Sequence, residues 1–198
     1  SDEFNGDREF QKTASVMKLV INGFAGAGTI TMGGYDYHTS NRSTGEIRDL
    51  RAGRCMGACL EYAAQQKKPL MLYVFSDGAV ASNGVIDESI EGRGKGVWTG
   101  DNQSTAAAFY LVYDPNATAR PPAIRNQVGY MRTDASVETS SSPAANNVNL
   151  LVETVLLNYM ALHGEQSNFA STFTNHGLGN SSEQDNLIGL QAIVNGTT

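Results

Sequence analysis

The sequence predicts an α/β fold, a mostly parallel sheet flanked by helices. Three observations carry this expectation. Helix-like and strand-like segments alternate along most of the chain. The run LMLYVF, after two lysines and a proline, is apolar at every position, as in strands covered on both faces. Polar, glycine-rich stretches follow two of the strand-like segments, where open α/β sheets gather ligands.

Each element has its own signal. Residues 7–22 read as a helix, with Phe10, Ala14, Met17 and Ile21 at helical spacing, Asp7 as its cap and Gly23 as its stop. GAGTITM, residues 26–32, reads as a short strand. Residues 45–67 read as a second helix with an apolar stripe of Ile47, Leu50, Cys55, Ala58, Cys59 and Tyr62. The LMLYVF strand follows, then a glycine-rich loop over 79–100 and a third strand within 105–115. Residues 116–145 are turn-rich and read as an irregular arm or hairpin. Residues 146–163 carry the strongest helical pattern, with Val148, Leu151, Val152, Val155, Leu156, Tyr159 and Leu162 as its broad apolar face and Gly164 as its stop. A last helix is expected over 182–195, with Ser182 and Asp185 in a rough capping arrangement. There is no internal repeat and no second-domain signal. The 198 residues suit a single α/β domain. The polar, acidic opening SDEFNGD reads as a linker, so the chain is expected to be part of a larger one.

Composition excludes several functions. Fourteen basic residues are scattered against 20 acidic ones, for a net charge of -6. Nucleic-acid binding needs clustered cations, and docking on anionic membranes needs a basic patch, so neither is expected. No apolar stretch approaches the ~20 residues that span a bilayer. With only 17% charged residues and abundant Gly, Asn, Ser and Thr, the balance is that of many exported bacterial proteins. Cys55 and Cys59 are the only cysteines. Four residues apart on a helix they suit neither a disulfide nor, alone, a zinc site, and they read as two small buried groups.

Chemistry concentrates in three stretches. In GGYDYH, Asp36 and His38 put a carboxylate and an imidazole on one side of an extended chain, a pairing that suits Zn, Mn or Fe. The same residues also fit a capped polar turn in which Tyr35 and Tyr37 pack on the sheet. In VFSDG, Ser76 and Asp77 follow a strand, as metal or substrate ligands or as a cap for the next turn. In GVWTGDNQST, glycines around Trp98, Asp101 and Asn102 allow close backbone approach to a ligand, or simply make a surface loop with one aromatic anchor. His163, in the last turn of a helix, complements the helix dipole. His176 lies in a glycine-rich loop with nothing to link it to Asp36. Serine-hydrolase elbows, P-loops and dinucleotide fingerprints are absent.

Together GGYDYH, VFSD and WTGDN, within residues 10–115, resemble a family of functionally uncharacterised, exported bacterial proteins with twin-arginine signals, allied to the alkaline phosphatase and sulfatase superfamily. The resemblance implies an alkaline-phosphatase-like α/β sandwich, incomplete at its N-terminus, and a periplasmic or extracellular location. It implies that Asp36, His38 and Asp77 ligate a divalent metal (Zn, Mn or Ca). Ser76, Asp101 and Asn102 would contact a small anionic ester or surface ligand. Two departures stand out. Asn102 occupies the place of the superfamily's histidine, and SDGAVAS lacks the arginine found after the second acid. The nucleophile and first metal-binding acid of the superfamily lie near the start of the fold, in a part that this chain is expected to lack. The expected function is therefore a degenerate, non-catalytic binding or structural member. The alternative is a divalent-metal-dependent phosphate or sulfate ester hydrolase.

Overall fold

The computed structural model describes residues 2–35, 42–75, 84–97, 108–116, 122–134, 136–145 and 147–194. After a 3-10 turn at Asp2–Phe4 comes helix α1, Arg8–Ile21. The Asp7 side chain caps it, accepting from the amides of Glu9 at 2.8 Å and Phe10 at 3.4 Å. Phe10, Thr13, Met17 and Ile21 turn inward. Gly23, at φ +78°, lets the chain leave, and the amides of Phe24 and Ala25 close on Leu19 O.

Residues 24–35 then double back along α1. Gly28 lies against Val16 and Val20, where any side chain would collide with Val16. Gly33 N donates to Glu9 Oε1 at the start of the same helix. The stretch 26–32 is thus extended but joins no sheet among the described residues. Its alternation is satisfied by helices instead: Ile30 and Met32, two apart, both pack onto the α1–α2 pair.

Helix α2, Arg42–Gln66, buries Cys55, Ala58, Cys59 and Ala63 against α1. The small residues at these positions let the helices approach closely. Ile47 and Leu50, assigned to the same apolar stripe by sequence, are exposed. Lys67, at φ 52°, ends the helix and leads into strand β1, Leu70–Val74.

The expected parallel sheet is corrected here. Strand β1 pairs with β4, Phe109–Tyr113, in antiparallel register from Leu70↔Tyr113 to Val74↔Phe109. Strands β2, Ile86–Asp87, and β3, Lys95–Gly96, form a separate antiparallel pair. Among the described residues, mixed helices with two small antiparallel sheets replace the parallel sheet between helix layers. The apolar run of β1 has another cause. Leu70 and Leu72 pack with Met17, Ile21, Ala63 and Tyr113, while Tyr73 stacks on Phe75 at 5.1 Å and tilts against Tyr110 at 5.5 Å. One face is covered by helix and the other by aromatic rings, so both faces read as apolar.

In the C-terminal part, Met131 bridges to Val137 in antiparallel fashion. Helix α3, Val148–Leu162, is capped by Asn147. Its buried face carries Thr154, Leu157, Asn158, Ala161 and Leu162. The sequence-assigned apolar face is largely turned outward: Val148 is 54% and Val152 51% exposed, with Leu156 and Tyr159 exposed too. After a short 3-10 turn at Gln166–Asn168 and the single turn α4, Phe169–Thr172, the last helix α5 spans Ser181–Leu187. A capping box of Asn180 and Glu183 starts it, not Ser182 and Asp185. It stops at Leu187, seven residues long, because Ile188 is already extended and Leu190 bridges to Ala123. Leu157, Ala161, Phe169, Leu178, Leu187 and Ile188 form the core of this part. No helix among the described residues is long and apolar enough to cross a membrane.

Candidate functional site

The residues expected to carry the site, Asp36, His38, Ser76, Asp77, Asp101 and Asn102, and with them Trp98, lie outside the described residues. What the structure does describe is the scaffold from which each of their segments departs.

The Asp36/His38 segment is anchored at both described ends. Before it, Gly33 is tied to Glu9, and Gly34, at φ +90°, packs on the Arg48 guanidinium. That left-handed backbone needs glycine, which accounts for the second glycine of the GGYDYH motif. Tyr35 comes next and lies against Arg51. Burial pushes its phenol pKa up, and the hydrogen bond and charge of Arg51 pull the other way. After the segment, Arg42 opens α2 and donates from Nη2 to Gly96 O at 2.5 Å. Glu46, one turn on, pairs with Arg93 at 3.0 Å and Lys95 at 3.1 Å. The Lys95 hydrogen bond, foremost, holds the Glu46 carboxyl below its ordinary value. The start of α2 is therefore fixed to the β2–β3 hairpin, two residues before position 98.

The other two segments share an anchor. Val74 at the end of β1 pairs with Phe109 at the start of β4. Residue 75, which precedes Ser76 and Asp77, and residue 108, which follows the Asp101/Asn102 segment, thus lie at one end of the same ladder. The register does not bring Asp77 and Asn102 together by itself, but it gives their segments a common base.

Beneath the first anchor sits an ion cluster with no local sequence signal. Arg51 Nη2 lies 2.7 Å from both Asp7 Oδ2 and Glu9 Oε2, and its Nε donates to Asp7 at 3.0 Å. These contacts hold both carboxyls below their usual values and raise the guanidinium further. Arg51 also lies over the Phe10 ring, 5.6 Å from its centroid. The groove beside it, about 480 Å³, is lined by Gly6, Asp7, Phe10, Ile47, Leu50 and Arg51. Asp2, Glu3 and Arg54 line it too, so its three carboxylates outnumber its two guanidiniums and it does not attract an anion.

The two remaining histidines have structural engagements. The ring of His163, at the C-terminus of α3, tilts against Tyr159 at 4.8 Å. His176 Nδ1 accepts from Leu178 N at 3.2 Å, and its ring meets the Phe169 edge at 5.2 Å. Among the described residues no group of three or more His, Cys, Asp or Glu is placed to hold a metal ion.

Comparison with protein-family models, with curated proteins and with solved structures finds no match in any of the three.

Proposed function

We propose that the chain is a non-catalytic, ligand-binding relative of the alkaline phosphatase and sulfatase enzymes, working in the periplasm or outside the cell. The reading rests on the resemblance carried by GGYDYH, VFSD and WTGDN. The observation that carries the loss of catalysis is Asn102, a carboxamide in the place of the enzymes' histidine, together with the absence of arginine after Asp77. Catalysis of ester cleavage needs charge stabilisation where the transition state develops it. An amide in place of an imidazole weakens the metal shell, and a missing guanidinium removes a clamp on the ester oxygens.

Two carboxylates and an imidazole, from Asp36, His38 and Asp77, form a donor set that suits a divalent ion such as Zn, Mn or Ca held with open coordination positions. Bound there, the ion would supply a positive centre able to polarise an oxyanion. Ser76, Asp101 and Asn102 would hydrogen-bond the remaining oxygens of a small anionic ester or surface group. The anchoring supports this reading: both ends of the Asp36/His38 segment are held, and the Asp77 and Asn102 segments share the Val74–Phe109 base.

Thermal unfolding of the full chain with added Zn, Mn or Ca tests the proposal. One of these ions is expected to raise Tm, an effect lost in Asp36→Ala and His38→Ala, while aryl phosphate and aryl sulfate esters are not turned over. Turnover abolished by His38→Ala would establish the hydrolase instead. No shift with any ion would remove the metal site altogether.

A further inference from the structure

We propose that Asn5–Gly6 is a site of spontaneous deamidation and isoaspartate formation, and that the change releases Phe4 from its seat between α1 and α2. This site lies just before α1 and is independent of the Asp36/His38 reading.

The chemistry is that of an Asn-Gly pair. The glycine nitrogen attacks the asparagine Cγ and gives up its proton. The Cγ–Nδ2 bond breaks, ammonia leaves, and a five-membered succinimide closes. Water then opens either ring carbonyl, to aspartate or to isoaspartate. Neither step needs an oxidant, a reductant or an enzyme. Glycine favours ring closure because it has no Cβ in the way and its backbone turns freely. A fold suppresses the reaction by holding the carboxamide or the glycine nitrogen in hydrogen bonds, or by a backbone that cannot turn to bring the two together.

The sequence has four such pairs, beginning at Asn5, Asn22, Asn83 and Asn195. Asn83 and Asn195 lie outside the described residues. Asn22 is locked. It ends α1 at ψ 5°, its Nδ2 donates to Lys18 O at 2.8 Å, and Gly23 N donates to Val20 O at 3.0 Å. Turning it undoes the helix exit, in which Phe24 N and Ala25 N close on Leu19 O. Asn5 is open. It and Gly6 are exposed, in the turn between Asp2–Phe4 and α1. Asn5 N donates to Asp2 O at 3.0 Å, and Asn5 O accepts from Gln11 Nε2 at 3.1 Å. The second bond is exposed and made to a flexible side chain, so it does not stop the backbone from turning at Asn5. Among the described residues the Asn5 carboxamide and the Gly6 nitrogen have no hydrogen-bond partner. Gly6 also lines the groove beside Arg51, where water reaches the ring.

The product alters what this turn anchors. Phe4 is buried and packs with Phe10 of α1 and with Cys55 and Ala58 of α2. Isoaspartate routes the main chain through the side-chain carbons, which adds one methylene between Phe4 and Gly6. Downstream, Asp7 is pinned by its cap bonds and by Arg51. Upstream, the ion pair of Glu3 with Arg54 is exposed and holds little. The added length is therefore taken up on the Phe4 side.

Ageing of the folded full chain in mildly alkaline buffer made with heavy-oxygen water, followed by peptide mapping and isoaspartyl methyltransferase labelling, reads each site separately. The same chain in urea supplies the unprotected rates. Asn5 is expected to convert within about twofold of its rate in urea, and Asn22 to be slowed about tenfold or more, because its helix exit must first open locally. Gly6→Ala, at a position with no neighbour within 4 Å and no positive φ, should slow conversion at Asn5 and leave Asn22 unchanged. Hydrogen exchange at Phe4 and chymotryptic cleavage after it should rise in the isoaspartate fraction but not in Asn5→Asp, whose main chain is unaltered. Equal slowing of both sites by folding, or conversion of Gly6→Ala as fast as the unaltered chain, overturns the modification site. Phe4 as protected in the isoaspartate fraction as in the fresh chain overturns its release.

Discussion

Asn158 decides which way helix α3 faces, and replacing it by leucine tests that orientation. The side chain is fully buried. Its Nδ2 donates to Leu187 O and Thr154 O, both at 2.9 Å, and its Oδ1 accepts from Gly189 N at 2.8 Å. It is a clamp that holds the end of α5 and the chain beyond it against α3. Leucine keeps the branching at Cγ but is bulkier and makes none of these bonds, so any overpacking adds to the loss. The Thr154 carbonyl keeps its helical partner. The Leu187 carbonyl and the Gly189 amide do not, and each buried, unpaired group costs about 1–3 kcal/mol. The expected loss is therefore about 2–6 kcal/mol, a large share of a typical domain stability of about 5–15 kcal/mol. Val152→Lys is the control. At 51% exposure it should change stability by no more than about 0.5 kcal/mol. Equilibrium urea unfolding followed by circular dichroism measures both, and hydrogen exchange at the Gly189 amide should accelerate in Asn158→Leu. The reverse pattern, a neutral Asn158→Leu and a costly Val152→Lys, would mean that the Val148–Val152–Leu156–Tyr159 stripe is the inner face and would refute the reasoning.

Gly34→Ala should cost about 1–2 kcal/mol, because an L-residue is strained at φ +90° and its Cβ would sit 3.1 Å from Arg48 Cζ, whereas Gly33→Ala meets nothing nearer than 3.9 Å and should be close to neutral by the same unfolding measurement. The Arg51 cluster predicts a pH dependence. Asp7 and Glu9 titrate below their ordinary 3.8 and 4.5 in the folded chain, so their contribution is present above those values and is lost as pH falls through the lower, folded ones. Arg51→Gln should flatten the acid limb of stability against pH in that window, and an unchanged limb would show that the cluster contributes nothing.

Much of the local structure was legible in the sequence. Helix α1, its Asp7 cap and its Gly23 exit follow from neighbours in the chain, because capping and helical periodicity act within one or two turns. The LMLYVF strand was legible for the same reason, but its partner was not. An apolar run says that both faces are covered, not by what, and here helix and aromatic rings supply the cover that a parallel sheet was expected to supply. The extended stretch at 26–32 shows the same ambiguity, since Ile30 and Met32 alternate toward two helices rather than toward a sheet core. In α3 the hydrophobic stripe misled because buried hydrogen bonds compete with apolar burial. Asn158 has three partners inside that offset the cost of burying its amide, and it draws its face inward.

For the candidate site the division is similar. Sequence motifs by themselves supplied the residues proposed to hold an ion or an anionic ligand, because donor chemistry belongs to residue types: Asp36, His38 and Asp77 with Ser76, Asp101 and Asn102. Tertiary structure alone decided what lies around those segments: the Arg42–Gly96 tie, the Arg51 clamp on Asp7 and Glu9, and the shared base at Val74 and Phe109. Arg51 is more than forty residues from the acids it pairs with. No periodicity connects positions so far apart. Only the packing of α1 against α2 brings them within bonding distance, and that packing depends on which faces the whole chain can bury at once.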